Sequence, residues 1–204
     1  MARTIKYSKE DILEKSVDFI KEHGYSKLTA RELAKYIGCS TGPIFKNYEN
    51  FDMYKEDLKF YLRKDYSSFI YKYVDIKDYL YTISYAYAFY AKKEPNAFFS
   101  LFMADLAGSR TVEEVLNTDR NFETIEAMVK QYNITLEKAK RVYREVRFYT
   151  HGIATQLCVN SIKLTDREIK DLIRNNIEMN LRGDIIMNLY ERNQKQRNNT
   201  TEKM

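Results

Sequence analysis

The residue types that catalyse reactions or bind metals are sparse in this sequence. The chain has two histidines, His23 and His151, which are far apart in sequence, and two cysteines, Cys39 and Cys158, which are also far apart. Metal sites need several such ligands at close spacing, and a phosphate-binding loop needs glycines between a strand and a helix. Neither pattern occurs, so the sequence predicts no catalytic residues, no metal and no cofactor. We do not expect an enzyme.

Polar residues with informative spacing lie in one short segment, LTARELAKYIGCSTGPIFKNYEN, at residues 28–50. Two of the six glycines and one of the two prolines in the chain fall within it. Hydroxyl, amide and ammonium groups are the side-chain groups that contact DNA phosphates and base edges. The segment supplies them at Ser40, Thr41, Lys46 and Asn47. The chemistry to expect here is nucleic-acid recognition.

Capping signals indicate how these side chains are positioned. Thr29 and Glu32 form a capping box, T-A-R-E, which predicts a short helix that ends at Gly38. Ser40 is expected to cap a second short helix, with Pro43 in its first turn. Two short helices joined by a glycine turn form a helix-turn-helix, whose second helix enters the DNA major groove. The alternative is an ordinary helical hairpin with no DNA partner.

Residues 8–62 resemble the N-terminal domain of the TetR family of bacterial transcriptional regulators. The resemblance is carried by FIKEHGYSKLT, by TARELAKYIGCSTGPIFKNYEN and by the amphipathic helix that follows. The positions in the family register are Gly24, Tyr25, Thr29, Leu33, Ala34, Gly38, Ser40, Gly42, Ile44 and Tyr48. The resemblance implies a DNA-binding domain over residues 1–52. The candidate DNA-binding residues are Thr29, Arg31, Ser40, Thr41, Gly42, Pro43, Phe45, Lys46, Asn47, Tyr48 and Lys55.

Three positions depart from the family pattern. Phe45 replaces a usual tyrosine, Asn47 a usual histidine and Phe51 a usual lysine. Phe45 cannot donate a hydrogen bond and Phe51 has no charge, so two common phosphate contacts are missing. We expect the replacement contacts to come from Thr29, Lys46 and Lys55.

Helical periodicity continues through the rest of the chain, and the low glycine and proline content argues against a turn-rich β protein. The sequence therefore predicts an all-α fold. After the N-terminal helices we expect further helices at about 52–73, 76–93, 95–108, 119–132, 136–162 and 166–191. By the family resemblance, residues 53–192 form a larger helical domain for ligand binding and dimerisation. The polar tail at 193–204 is predicted to be disordered.

Aromatic residues are dense in YLYTISYAYAFYA and in the NAFFSLF that follows. Such stripes can simply be packed core, but buried tyrosine hydroxyls need hydrogen-bond partners, which a ligand cavity can supply. The candidate ligand-binding residues are Tyr85, Phe89, Phe99, Phe102, Met103, Asp105, Tyr149 and His151. Asp105 could bind a cationic ligand, pair with Arg110 or face solvent. His151 could instead be a hydrogen-bonded core histidine.

The final two predicted helices have apolar stripes interrupted by asparagines, which suits a four-helix dimer interface. The candidate interface residues are Ile153, Leu157, Ile173, Ile177 and Leu181. The net charge of +5 permits a nucleic-acid partner without demonstrating one. Neither a signal peptide nor a membrane-spanning apolar run is visible, so we expect a cytoplasmic protein with no membrane partner.

Together these features predict a dimeric repressor that binds palindromic operator DNA and is released by a small aromatic or apolar effector. The alternative is a TetR-like protein that occupies DNA and contacts another protein, with no small-molecule inducer. A closed, partly apolar cavity with electron density in it would favour the first hypothesis, and a collapsed core with an exposed apolar patch would favour the second.

Overall fold

The computed structural model describes residues 7–103 and 111–201, with the side chains of residues 45, 47, 120 and 184–201 left aside. All its regular elements are helical, which confirms the predicted all-α fold. The helices are α1 (Lys9–His23), α2 (Ala30–Ile37), α3 (Gly42–Asn47), α4 (Phe51–Tyr71), α5 (Tyr79–Lys93), α6 (Pro95–Phe102), α7 (Val112–Leu116), α8 (Asp119–Tyr132), α9 (Leu136–Cys158) and α10 (Asp166–Thr201). Short 3₁₀ turns lie at Tyr25–Lys27 and Ile76–Asp78.

Most helix starts follow the capping signals in the sequence. Ser8 and Asp11 exchange hydrogen bonds in a full capping box at the start of α1. The Thr29 hydroxyl accepts from the backbone N–H of Glu32 at 3.1 Å, which caps α2. The start of α3 differs from the expectation. Thr41 rather than Ser40 occupies the capping position, and its side chain makes no capping hydrogen bond.

Three boundaries in the C-terminal half also differ from the expectation. α7 was not predicted, although Thr111 and Glu114 form a capping box at its start. α9 ends at Cys158 rather than near residue 162. α10 continues to Thr201, through residues where the polar composition predicted disorder. No proline or glycine follows Gly183 in this segment, so nothing in the sequence stops a helix that is already nucleated.

The buried apolar residues form two clusters. The first joins α1–α4 to the end of α5, to α6 and to Ala154 of α9. The second fills the space among α5, α8, α9 and α10, with Leu116 of α7. The first cluster does not stop at the predicted domain boundary after residue 52, because Leu58 and Leu62 of α4 pack in the same core as Ile12 and Ile20 of α1. The N-terminal helices therefore share a core with α4 and α6.

Candidate nucleic-acid interface and ligand cavity

A tight turn joins α2 to α3. Gly38 adopts a left-handed conformation, with φ of 79°. Its N–H and that of Cys39 both donate to the carbonyl oxygen of Ala34 at 2.9 Å, which closes the C-terminus of α2. A residue with a Cβ is strained at this φ, so the glycine has a definite structural purpose. The turn lets α3 begin four residues later, at Gly42.

One side of α3 anchors the helix to the core. Ile44 is buried, and Tyr48, just after the helix, is only 5% exposed. The Tyr48 ring packs edge-on against Tyr54 of α4, with ring centroids 5.4 Å apart. The structure therefore does not support Tyr48 as a DNA-binding residue. Its place four residues after Ile44 puts both on the inward face, where it positions α3.

The other side of α3 and the adjacent surface of α2 are open to solvent. Ser40, Gly42 and Lys46 are exposed, and Thr41 and Pro43 are half-buried. The side chains of Phe45 and Asn47 lie outside the described set. Exposed cations accompany this face at Arg31, Lys35 and Lys46. None of the three makes an ion pair with a carboxylate in the described part of the chain, so their charges are available to phosphates. Lys35 is not among the predicted DNA-binding residues, because in the sequence it resembles any solvent-exposed lysine on a helix.

Two other predicted contacts have partners within the chain. Thr29 caps α2, although its side chain is exposed. The Lys55 ammonium lies 3.3 Å from a carboxylate oxygen of Asp52. It also lies 5.5 Å from the centre of the Phe51 ring. Exposed ion pairs of this kind contribute about 0–1 kcal/mol, so the pairing of Lys55 is weak enough to be exchanged for a phosphate.

The aromatic residues of α5 separate into a packed group and a cavity-facing one. The Tyr85 and Phe89 rings are stacked, with centroids 5.4 Å apart. Phe89 also packs against Phe69 and Tyr73. Tyr85 and Phe89 share a helix face, whereas Tyr87 lies about 200° around the helix from Tyr85. Tyr85 and Phe89 are therefore packing residues in this structure, and Tyr87 reaches the cavity instead.

A cavity of about 280 Å³ lies among α5, α6, α7 and α9. Its lining residues are Tyr87, Leu101, Phe102, Thr111, Val112, Val115, Leu116, Arg144, Arg147, Phe148 and His151. Phe102 and His151 were predicted as ligand-binding residues and do line it. Tyr87 and the two arginines were not in the predicted set, because α9 arginines read from sequence as a solvated helix face.

The remaining ligand-binding candidates lie elsewhere. Phe99 is 44% exposed, whereas its neighbour Phe98 is buried and Phe102 lines the cavity. Tyr149 is exposed, about 200° around α9 from His151. Met103 packs at the edge of the first core cluster. Asp105 and Arg110, as well as any pairing between them, lie outside the described residues.

The polar centre of the cavity is a contact between α5 and α9. The Tyr87 hydroxyl lies 2.9 Å from Nδ1 of His151. Burial raises the pKa of Tyr87, so its hydroxyl keeps its proton. Burial, followed by the charge of Arg147, lowers the pKa of His151 and favours the neutral ring. A neutral His151 with an unprotonated Nδ1 accepts the Tyr87 hydrogen, and Nε2 can then donate.

The predicted dimer-interface residues pack within their own chain. Ile153, Leu157, Ile173 and Ile177 are buried in the second core cluster, and Leu181 is half-buried against it. In the single chain these side chains therefore pack inward, and their role at a dimer interface stays a prediction. An apolar stripe shows that a helix face is buried but does not say whether the partner is in the same chain. Exposed apolar side chains in this half of the chain include Phe148 (58%), which also lines the cavity, Val159 (52%) and Met179 (72%).

No protein-family model matches the sequence, and the search of curated proteins gave no match either. In the described ranges, no group of three or more His, Cys, Asp or Glu side chains is placed to hold a metal ion. No helix there is both long and apolar enough to cross a membrane. The family resemblance therefore rests on the residues quoted above, and the function must be argued from geometry.

Proposed function

We propose that this protein is a ligand-responsive transcriptional regulator, most simply a repressor, that binds palindromic operator DNA as a homodimer. The observation that supports this most is the α2–α3 unit. Gly38 sets the turn, Ile44 and Tyr48 fix the inward side of α3, and the outward side presents small polar residues and Lys46, which has no ion pair with a described carboxylate. This is what a recognition helix needs in order to enter a major groove. Such a regulator acts in the cytoplasm, where bacterial DNA lies.

Exposed cations on two neighbouring helices of the chain are suited to phosphate contacts. Lys46 lies in the last turn of α3, while Arg31 and Lys35 lie on α2. Phosphate contacts fix the orientation of a protein on DNA, and contacts to base edges then read the sequence. We assign the first task to these cations. The second falls to the residues at the start of α3, where Gly42 allows close approach and Pro43 suits a thymine methyl.

Release by a small molecule is supported by the position of α6. This helix contributes Leu101 and Phe102 to the cavity wall and also packs against α1. A ligand that fits the cavity better in one arrangement of α6 would shift the orientation of the N-terminal helices. The cavity is the feature that supports a small-molecule effector in this proposal.

Dimerisation is supported by the outer surface of α9. Gly152 is exposed in the middle of this helix, and a Cβ built there would meet no described atom within 4 Å, its own helix backbone aside. Glycine in a helix costs about 1 kcal/mol relative to alanine. Nothing within the described chain requires that cost, whereas close approach of a second copy does. Phe148, four residues before Gly152 on the same helix face, supplies exposed apolar area there.

Selection of binding sites from a random DNA pool tests the proposal directly. The enriched sequences should contain two inverted half-sites, and related sites should occur upstream of the gene for this protein or its neighbours. Enrichment of single, unpaired sites would contradict the dimer, and a pool without enrichment would contradict sequence-specific binding.

A further inference from the structure

We propose that the cavity binds a small organic anion, an aromatic or apolar carboxylate whose acid group pairs with Arg147. This inference deepens the ligand-responsive function proposed above by naming the chemical class of the effector. Asp105, for which the sequence analysis considered a cationic ligand, lies outside the described residues. The charged groups of the cavity wall are cationic, the Thr150 hydroxyl near Arg147 has no described hydrogen-bond partner, and the rest of the wall is largely apolar.

The charged groups of the cavity wall are cationic. Arg144 and Arg147 line it together with the titratable His151, and no carboxylate is among the lining residues in the described part of the chain. Arg144 donates from Nε and Nη2 to the adjacent Glu145 carboxylate, at 3.1 and 2.9 Å. Arg147 is half-buried and has no such ion pair with a described carboxylate. A guanidinium without a carboxylate in an apolar cavity attracts an anion.

The charge of Arg147 also acts on the Tyr87–His151 contact. Burial and then Arg147 lower the pKa of His151, and Arg147 opposes the rise in the pKa of Tyr87 that burial causes. A carboxylate bound to Arg147 would offset this effect. The planar guanidinium fork matches two carboxylate oxygens, whereas an amide or an amine cannot form the same charged, two-bond pair.

A buried hydroxyl group without a described hydrogen-bond partner lies near Arg147, at Thr150 of α9. Arg147 and Tyr87 also line an adjoining space of about 50 Å³, together with Thr150. Thr150 is only 2% exposed, and its hydroxyl has no hydrogen-bond partner in the described structure. A buried hydroxyl without a partner is uncommon and costly. The small space has room for an acid group, which could accept from both Arg147 and Thr150.

The rest of the wall sets the size and character of the ligand. Tyr87, Phe102 and Phe148 supply aromatic surface, and Val112, Val115 and Leu116 supply aliphatic surface from α7. The volume of about 280 Å³ is at the small end of ligand cavities, which occupy about 300–1,000 Å³. A single substituted ring or a short acyl chain fits these limits better than a large fused-ring compound.

Three matched probes test the charge requirement: 3-phenylpropionate, 3-phenylpropionamide and 3-phenylpropylamine. Titration calorimetry on the full-length protein without DNA measures binding independently of operator recognition. The acid should bind roughly 10- to 100-fold more tightly than the amide, as expected for a charge-assisted hydrogen-bonded pair, and the amine should bind weakest. Equal affinity for acid and amide, preference for the amine, or no binding of any probe would overturn the proposal while leaving DNA binding untouched.

Substitutions assign the effect to Arg147. Arg147→Gln should abolish the preference for the acid, Arg147→Lys should retain part of it, and Thr150→Val should reduce it. Arg167→Gln removes an exposed cation on α10 and serves as the matched control, with wild-type affinity expected. Loss of the preference in the control, or its retention in Arg147→Gln, would overturn the assignment. If Arg147→Gln does not fold, the Thr150→Val and Arg147→Lys titrations and the three-probe comparison on the wild type decide the matter.

Discussion

Asn96 of α6 donates a hydrogen bond from Nδ2 to the backbone carbonyl oxygen of Lys21 in α1, at 3.0 Å. Lys21 also lies between two acids, 2.9 Å from Asp65 of α4 and 3.8 Å from Glu94 just before α6. The end of α1 is therefore tied to both α4 and α6. Because α6 also forms part of the cavity wall, these contacts connect the cavity to the N-terminal helices.

Asn96→Ala tests this connection. The side chain would no longer satisfy the carbonyl of Lys21, so the free energy of unfolding should fall by about 0.5–1.5 kcal/mol in chemical denaturation. Operator affinity should also change, because the orientation of α1 is less restrained. Asn117→Ala, which removes an exposed amide bonded to Glu113, is the control. The connection would be refuted if both variants altered operator affinity equally.

The assembly prediction centres on Gly152. Gly152→Arg should leave the helical content of the monomer intact, because the site is open, but should hinder a second copy. Sedimentation should show a monomer with weakened operator binding, while Gln131→Arg on α8, an exposed position outside this surface, stays dimeric. Leu181→Glu should mainly destabilise the fold, since Leu181 packs against its own core. A fully dimeric Gly152→Arg protein would place the interface elsewhere.

His151 predicts a dependence of stability on pH. Its pKa is lowered in the folded state, chiefly by burial, so the unfolded chain binds more protons at mildly acidic pH. Stability should therefore decrease as pH falls below about 6.5, the unfolded value, and this contribution should be complete above it. The described charged or titratable groups that act on the ring are Arg147 and the Tyr87 hydroxyl.

Denaturant titrations at pH 8 and pH 5.5 measure this effect. The loss of stability between the two should be smaller in His151→Gln than in wild type, while His23→Gln, at an exposed site on α1, should resemble wild type. An identical loss in all three proteins would show that His151 does not contribute.

Local signals in the sequence were sufficient for much of the fold. The capping box at Ser8, the side-chain cap at Thr29 and the glycine turn at Gly38 act through neighbouring backbone groups, so they can be recognised without tertiary information. Thr111 and Glu114 carry a capping-box signal of the same kind at the start of α7, a helix that the sequence-based prediction did not include. The inward face of α3 was likewise predictable from the spacing of Ile44 and Tyr48.

The cavity was less predictable because it depends on rotation of whole helices against one another. The aromatic run of α5 identifies a region rich in rings but does not say which rings face a neighbour and which face a space. Tyr85 and Tyr87 are two positions apart, yet Tyr85 packs against Phe89 whereas Tyr87 lines the cavity. In the sequence, Arg147 resembles a solvent-exposed helix residue. It lines the cavity because α9 packs beside α5 and α6.

Phe51→Lys tests whether a positive charge at the start of α4 strengthens DNA binding. The Phe51 ring is half-buried and packs on Tyr54, with centroids 5.0 Å apart, so the substitution should lower stability. The added charge at the start of α4 should nevertheless strengthen operator binding at low salt and steepen its salt dependence. Measurements on folded protein, checked by circular dichroism, separate the two effects. Unchanged affinity and slope would show that the start of α4 does not approach DNA.

The salt dependence of operator binding by wild type and Lys46→Ala tests the central claim most directly. Lys46 is exposed on the outward side of α3 and has no ion pair with any described carboxylate. If it neutralises a phosphate, Lys46→Ala should weaken binding almost uniformly across DNA sequences and reduce the slope of log K against log salt by about 1 per subunit. If it reads guanine instead, the loss should be about 1–3 kcal/mol at one base pair of each half-site. Lys163→Ala, at an exposed position just after α9, should match the wild type. Affinity and slope in Lys46→Ala equal to those of the wild type would mean that this face does not meet DNA, and would contradict the proposed function.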